Sequence, residues 1–194
     1  RDFKRGGAWM ADLASRMKKS DGSIIYPIVF LEANFTPASE GKPALLSHSE
    51  VNTLFHEFGH TLQHILTTVN YSAASGTNGV AWDAIELPSQ FMENWCWEWE
   101  VISDISAHIE TGKTLPKEEF DKLGTVKNYQ SAMQMLRQLE FALFDLRIHS
   151  KLGEDETRSV QEILDDVRSK VSVMQPLSYN MFQNSFSHIF AGGY

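Results

Sequence analysis

The stretch from Leu54 to Leu62 constrains this chain most, because it places the pattern His-Glu-x-x-His inside a strongly periodic segment. Residues four apart lie on nearly one face of an α-helix, so His56 and His60 can direct imidazole nitrogens at one ion. Glu57 lies one step around the helix, where its carboxylate can exchange a proton with a metal-bound water without having to ligate. The pattern therefore predicts a helix that carries part of a metal site.

Signals independent of the motif predict the same helix. Ser47 and Glu50 fit a capping box, and no proline interrupts the chain from there to about Val69. At about 100° per residue, the apolar residues of this run fall in one sector, away from the two histidines and Glu57. We therefore expect the apolar stripe to pack in the core and the polar triplet to face the other side of the fold. The stripe consists of Val51, Leu54, Phe55, Phe58, Leu62, Ile65, Leu66 and Val69.

A zinc site that keeps one position open for water needs a third protein ligand. Glu86 is the best candidate, in the opening turn of a helix that Pro88 predicts to begin near Asp83. Glu93 shares a face with Glu86 and could orient a ligating histidine, with Asp83 as a weaker candidate; a solvated or helix-pairing Glu93 is the alternative. His64 is the rival third ligand, but one more turn along the same helix is too far to share the ion.

These motifs are similar to the catalytic domain of the thimet oligopeptidase family of zinc metallopeptidases. The likeness extends over essentially the whole chain. The resemblance implies a zinc-dependent endopeptidase of short peptides, with one Zn²⁺ per chain, Glu57 as general base and three metal ligands, His56, His60 and Glu86. The segments that carry the likeness are His56–His60, Ser75–Thr77, Glu86–Trp95, Arg5–Met10, Leu136–Phe141 and Phe186–Tyr194.

The resemblance also assigns roles near the end of the chain. His188 and Tyr194 match the family's histidine and first tyrosine, which contact the substrate and the tetrahedral intermediate. By composition alone, His188 is more often a packed or solvated histidine. The family pattern includes a further tyrosine-rich segment and a large preceding helical lobe. We therefore expect residues 1–194 to form a single domain, part of a zinc oligopeptidase catalytic domain, with the N-terminal helical lobe and the C-terminal end absent.

Composition limits the classes of binding partner and the cellular compartment that we expect for this protein. The formal net charge of -8 disfavours nucleic acid, since phosphate binding needs clustered Lys and Arg. Because the sequence contains no apolar run long enough for a membrane span, we expect neither a membrane-spanning helix nor a secretory leader. The single cysteine, Cys96, excludes an internal disulfide and suits a reducing compartment, and its setting between two tryptophans favours a packed thiol over a nucleophile. We expect a cytoplasmic monomer that binds short peptides, without nucleic-acid or membrane partners.

The remaining pattern predicts a mainly α protein with a small β-sheet (α+β), as expected of a zincin-like helical metallopeptidase catalytic domain. Residues from Ile24 to Phe35 give the clearest strand signal, and Pro27 places that strand at an edge. A peptide substrate could add to such an edge as an extra strand; the alternative is a two-stranded flap that covers the helices. Upstream, Met10, Leu13 and Met17 give a short helical pattern.

Further helices are predicted downstream. A second long helix runs from about Asp83 to His108, with an aromatic stripe that we assign to the core. From Lys117 the pattern is helical again, broken near residues 124–128, and a last helix covers about residues 155–172.

Two functions are compatible with these features. The first is a zinc-dependent endopeptidase that hydrolyses short oligopeptides through a metal-activated water, with Glu57 as the base. The alternative is a zinc-binding, catalytically incomplete helical fragment that binds peptides without cleaving them. Peptide hydrolysis, with and without a chelator, distinguishes the two.

Overall fold

The computed structural model describes residues 7–39, 41–150 and 158–190. Contacts within the chain fall into two compact units, one up to Asp121 and one from Lys122 onward. The single domain spanning residues 1–194 stays a prediction. Helices predominate and the strands are short and antiparallel, which confirms the mainly α class with a small β component.

The first unit opens with four short strands, β1 (Trp9–Ala14), β2 (Met17–Lys18), β3 (Ile24–Ile25) and β4 (Ile28–Glu32). β1 pairs with β4 and β2 pairs with β3, both antiparallel. The helix predicted through Met10, Leu13 and Met17 is wrong. These residues lie in β1 and β2, whose backbone hydrogen bonds to β4 and β3 give them an extended conformation. The long strand predicted from Ile24 splits into two at Tyr26 and Pro27, where proline has no amide hydrogen to donate.

Helix α1 (His48–Ile65) begins at the predicted capping box. The Ser47 hydroxyl accepts from the Glu50 amide at 3.2 Å, and the Glu50 carboxylate accepts from the Ser47 amide at 2.8 Å. The helix ends at Ile65, earlier than the predicted Val69. The Thr67 hydroxyl there accepts from the Val69 amide, which competes with continued helical bonding.

The packing of α1 differs from the predicted one. Its buried residues are Glu57, Gly59, Thr61 and His64. In the predicted core stripe, Phe58 is 43% exposed and Leu66 is 70% exposed, and Ile65 and Val69 are exposed as well. The expectation that these four apolar side chains pack in the core is therefore wrong. β1 and the next helix instead contact the other side of α1, at Glu57, Gly59 and His64.

The second long helix, predicted from Asp83 to His108, is also wrong. The chain instead forms a 3₁₀ turn at Trp82–Ala84, helix α2 (Leu87–Glu93), a 3₁₀ turn at Asn94–Trp97 and helix α3 (Trp99–Ile105). Glu98 has extended backbone angles, φ -99° and ψ 123°, which separate the last two elements.

The aromatic stripe assigned to that helix is core only in part. Cys96 is fully buried and Ile102 is nearly so, whereas Phe91 and Trp95 are exposed. The prediction that Cys96 is a packed thiol is confirmed.

The chain enters the second unit through helix α4 (Lys117–Val126), followed by α5 (Ser131–His149) and α6 (Val160–Val171). The break between the first two falls at residues 127–130, so it overlaps the predicted break near residues 124–128 only in part, and Gln130 within it has a positive φ of 54°. The last helix begins at Val160; the predicted start near residue 155 lies outside the described residues.

The core of the second unit lies between α5 and α6. Phe144 and Leu164 are fully buried at its centre. In the same unit, the buried Arg168 guanidinium donates to the Glu140 carboxylate at 2.8 Å and to the Asn180 side-chain oxygen at 2.8 Å. This network holds the segment after α6 against the two helices.

None of the helices within the described ranges combines the length and the hydrophobicity that a membrane crossing requires.

Candidate metal centre

His56, His60 and Glu86 meet in the first unit. The two histidines lie one turn apart on α1, with ring centroids 5.1 Å apart and planes at 83°. Glu86 immediately precedes α2, and its Oε2 lies 3.2 Å from Nε2 of each histidine. One nitrogen or oxygen atom from each side chain lies within 4.8 Å of the other two. The structure therefore brings together the three side chains that the sequence nominated as metal ligands.

Gly59 allows the start of α2 to reach this position. A Cβ atom at Gly59 would lie 2.5 Å from the Pro88 carbonyl oxygen and 2.5 Å from the Ser89 Cα. Both are backbone atoms, so any larger residue at position 59 would force α2 away from α1. Gly59 thus allows the close approach of α1 and α2 that brings Glu86 to the two histidines.

His56 is fixed through its other ring nitrogen. Its Nδ1 lies 2.7 Å from Oε1 of Glu93, and an ionised carboxylate can only accept, so the ring donates its Nδ1 hydrogen there. In a neutral ring the lone pair is then on Nε2, which faces the Glu86 oxygen. Two acceptor atoms 3.2 Å apart repel each other unless a positive charge lies between them.

Asp83, the weaker candidate for orienting a ligating histidine, lies in the 3₁₀ turn Trp82–Ala84, where it is exposed.

Burial is the largest influence on the pKa of His60. Burial lowers the pKa of His60 below its ordinary value, and the nearby positive charge of a protonated His56 acts in the same direction. The negative charge of Glu86 opposes this shift. Burial thus favours the uncharged His60 ring, the state in which an imidazole can bind a metal.

Glu57, the glutamate between the two histidines in the motif, is largely buried. It is only 6% exposed, and burial raises the pKa of its carboxyl, with a further raising effect from the Glu86 charge. The charge of His56 and a hydrogen bond from the Met10 backbone lower the same pKa by smaller amounts. The bond from Met10 joins Glu57 to β1, a contact that the sequence did not indicate.

His64, the rival third ligand, is engaged elsewhere. Its Nδ1 accepts from the Thr77 amide at 3.4 Å and lies 3.1 Å from the Thr77 hydroxyl. Its Nε2 lies 3.2 Å from the Ala14 carbonyl oxygen, to which it donates. Gly76, at φ +63°, packs directly against the ring. The fully buried His64 therefore joins α1 to β1 and to the loop before Glu86.

Ser89 was missed by the sequence analysis. This fully buried serine lies in the first turn of α2, and its Oγ is 2.7 Å from Oε2 of Glu86. The available signal was its spacing of three residues from Glu86, which puts the two side chains on one face of a helical turn.

The two remaining predicted site residues lie near the end of the chain. His188 belongs to a 3₁₀ turn, Ser187–Ile189, in the second unit, where its ring lies 6.4 Å from that of Phe186. Tyr194 lies outside the described residues. The catalytic roles assigned to both residues stay predictions.

Comparison with known proteins defines the class. The model of peptidase family M3 matches residues 1–194, so this chain belongs to that family of peptidases. The resemblance inferred from the motifs is thereby confirmed.

Particular relatives narrow the likeness further. The chain is 53% identical, over its whole length, to Oligopeptidase A of Escherichia coli (strain K12), and covers 28% of that protein. It is 44% identical to the organellar oligopeptidase A of Arabidopsis thaliana, with 98% of the chain and 24% of the relative covered. Saccharolysin of Saccharomyces cerevisiae is 31% identical, with 100% and 28% covered. The chain thus spans about a quarter of the length of these relatives.

Proposed function

We propose that His56, His60 and Glu86 hold one Zn²⁺ in an oligopeptidase that hydrolyses peptide bonds in short oligopeptides. The observation that carries this proposal is the convergence of two imidazole nitrogens on one carboxylate oxygen, each at 3.2 Å. Membership of a peptidase family supports the reaction class, and relatives named oligopeptidases support the size of the substrate.

The separations of the Glu86 oxygen from the two histidine nitrogens fit zinc. Tetrahedral bonds of roughly 2.0–2.2 Å to nitrogen and oxygen separate neighbouring ligand atoms by about 3.4 Å. The two observed separations of 3.2 Å are close to that value. Two imidazoles and one carboxylate are also a donor set typical of catalytic zinc, which retains a fourth position for water or substrate.

The residues of the chain would divide the chemistry as follows. Bound zinc supplies the Lewis acidity that polarises a peptide carbonyl and lowers the pKa of a water. Glu57 would accept a proton from the attacking water and deliver it to the departing amine, a role that suits a carboxyl whose pKa is raised by burial. Glu93 holds the His56 ring so that Nε2 keeps its lone pair for the metal.

His188 and Tyr194 would act as hydrogen-bond donors to the developing oxyanion, as the family resemblance implies. A well-aimed donor of this kind contributes roughly 3 to 4 kcal/mol to transition-state stabilisation. The support for both residues is their match to the family's substrate-contacting histidine and tyrosine.

The proposed substrate is a short, extended peptide. The β1–β4 pair is a two-stranded sheet whose β4 residues Ile28 and Phe30 are exposed, and an extended peptide backbone can add to such an edge. We further propose a cytoplasmic monomer without nucleic-acid partners, supported by the acidic net charge of -8.

Peptide hydrolysis and metal content together test the proposal, in the complete natural polypeptide that carries these residues. We expect one zinc per chain, hydrolysis that a chelator removes and zinc restores, and a loss of about 10²- to 10⁴-fold in Glu57→Gln with zinc retained. Glu100→Gln, at an exposed glutamate in the first turn of α3, is the control and should behave like the wild type. Unchanged hydrolysis in Glu57→Gln would remove Glu57 from the role of base. Zinc and peptide binding without cleavage by residues 1–194 alone, where the complete polypeptide cleaves, would favour the incomplete, peptide-binding alternative for this part of the protein.

A further inference from the structure

We propose that Ser89 is a positioning residue, which fixes the Glu86 carboxylate in the orientation that a metal requires. This inference rests on the proposed zinc centre and extends it to a residue outside the ligand set. It depends on the hydrogen bonds of the Ser89 hydroxyl, on which Glu86 oxygen it contacts, and on the helix contact at which Ser89 lies.

The Ser89 hydroxyl has two acceptors within reach but only one hydrogen. Its Oγ lies 2.7 Å from Oε2 of Glu86 and 2.9 Å from the backbone oxygen of the same residue. That backbone oxygen already accepts from the Gln90 amide at 2.9 Å. An ionised carboxylate is the stronger acceptor and the shorter contact, so the hydroxyl donates to Oε2.

The oxygen that accepts from Ser89 is also the one that faces both histidines. A free carboxylate can rotate and exchange its two oxygens, and the Glu86 side chain is 31% exposed, so water alone would not fix its orientation. The serine bond selects Oε2 and holds it toward His56 and His60. Orienting a ligand before the metal arrives is the usual role of outer hydrogen bonds at metal sites.

The position of Ser89 is itself constrained by packing. Its Cα lies against Gly59 of α1, at the point where an added Cβ would approach within 2.5 Å, and the serine is fully buried. Water therefore cannot take over the hydroxyl's bond if the hydroxyl is lost. The close contact between Gly59 and the start of α2 therefore also fixes the position of the Ser89 hydroxyl, which orients Glu86.

Ser89→Ala tests this role, because it removes one oxygen atom and leaves the packing almost unchanged. Ser103→Ala is the matched control, since Ser103 is also a helical serine, but its hydroxyl donates to a backbone oxygen three residues earlier, that of Glu100, and not to a candidate ligand. Both variants are made in the complete natural polypeptide. The measurements are zinc affinity by competition with a chromogenic chelator, the visible absorption spectrum with Co²⁺ bound, and the melting temperature of the metal-free protein.

We expect Ser89→Ala to bind zinc about 10- to 100-fold more weakly and to show a changed Co²⁺ spectrum, with its metal-free melting temperature unchanged. Ser103→Ala should match the wild type in all three measurements. Equal zinc affinity and an equal Co²⁺ spectrum in Ser89→Ala would overturn the positioning role. So would a lower melting temperature together with unchanged zinc affinity, because Ser89 would then be purely structural. A wild-type protein that binds no zinc would instead refute the proposed function itself.

Discussion

Replacing Gly59 by alanine should separate the two segments that carry the candidate ligands. The new Cβ would lie 2.5 Å from two backbone atoms of Pro88 and Ser89, whereas ordinary contacts begin at 3.4 Å. α2 must therefore move away from α1 by about 0.9 Å, a displacement typical of overpacked cores. Glu86, which immediately precedes α2, moves with it, so its 3.2 Å separations from His56 and His60 should increase toward 4 Å, about the limit for a shared ion.

The expected change in stability follows from two opposing effects. Overpacking costs about 1 to 3 kcal/mol, while alanine in place of glycine inside a helix gains roughly 1 kcal/mol. The free energy of unfolding of the metal-free protein should therefore fall by about 0 to 2 kcal/mol, and the variant should bind zinc at least tenfold more weakly.

The matched control for this change is Gly124→Ala. Gly124 lies in α4, and a Cβ there meets nothing within 4 Å, so only the helical gain remains and the variant should be more stable by about 0.5 to 1 kcal/mol. Urea unfolding without metal measures the stabilities, and chelator competition measures the zinc affinities. If Gly59→Ala gained stability like Gly124→Ala and bound zinc as tightly as the wild type, the reasoning from the Gly59 contact would be refuted.

Three further predictions concern Glu93, Cys96 and Glu50. Glu93→Ala removes the acceptor of the His56 Nδ1 hydrogen, so zinc affinity measured by chelator competition should fall about 10- to 100-fold, and an unchanged affinity would contradict the orienting role. Burial, with a smaller effect of the Glu93 charge, raises the pKa of the Cys96 thiol to about 11; mass spectrometry should find no iodoacetamide adduct at pH 8 until the protein is denatured. Hydrogen bonds from Ser47 and Thr36 lower the pKa of Glu50 from 4.5 to about 2, so its stabilising effect is present above pH 4.5 and is lost as the pH falls toward 2. Urea unfolding should therefore show a smaller loss of stability across that pH range in Glu50→Gln than in the wild type, and equal losses would count against this assignment.

Local signals in the sequence were sufficient for the start of α1. The capping box is formed by residues three apart, and the spacing of His56 and His60 is a property of the helix itself. Glu86 required one further step, the proline near the start of α2, and the structure places all three side chains together.

Features that depend on distant partners were beyond the sequence. β1 has apolar spacing that suits a helix, but pairing with β4 decides its conformation, and no local pattern shows that partner. The exposed Phe58 and Leu66 illustrate the same limit, because periodicity identifies an apolar face without indicating what packs against it. Ser89 and Gly59 owe their importance to the contact between α1 and α2, which appears only when both segments are positioned.

β1 is attached to α1 at two points. The Met10 backbone bonds to the Glu57 carboxylate, and the Ala14 carbonyl oxygen accepts from His64. The two attachment points are seven residues apart on the helix, a rise of about 10 Å. On the strand they are four residues apart, which would span about 13 Å in a regular strand. The pairing of β1 with β4 is irregular between Asp12 and Ala14. The length of this strand segment is therefore restricted more strictly than its side chains. An inserted or deleted residue would break one of the two attachments, whereas exchange of an outward-facing side chain would preserve both.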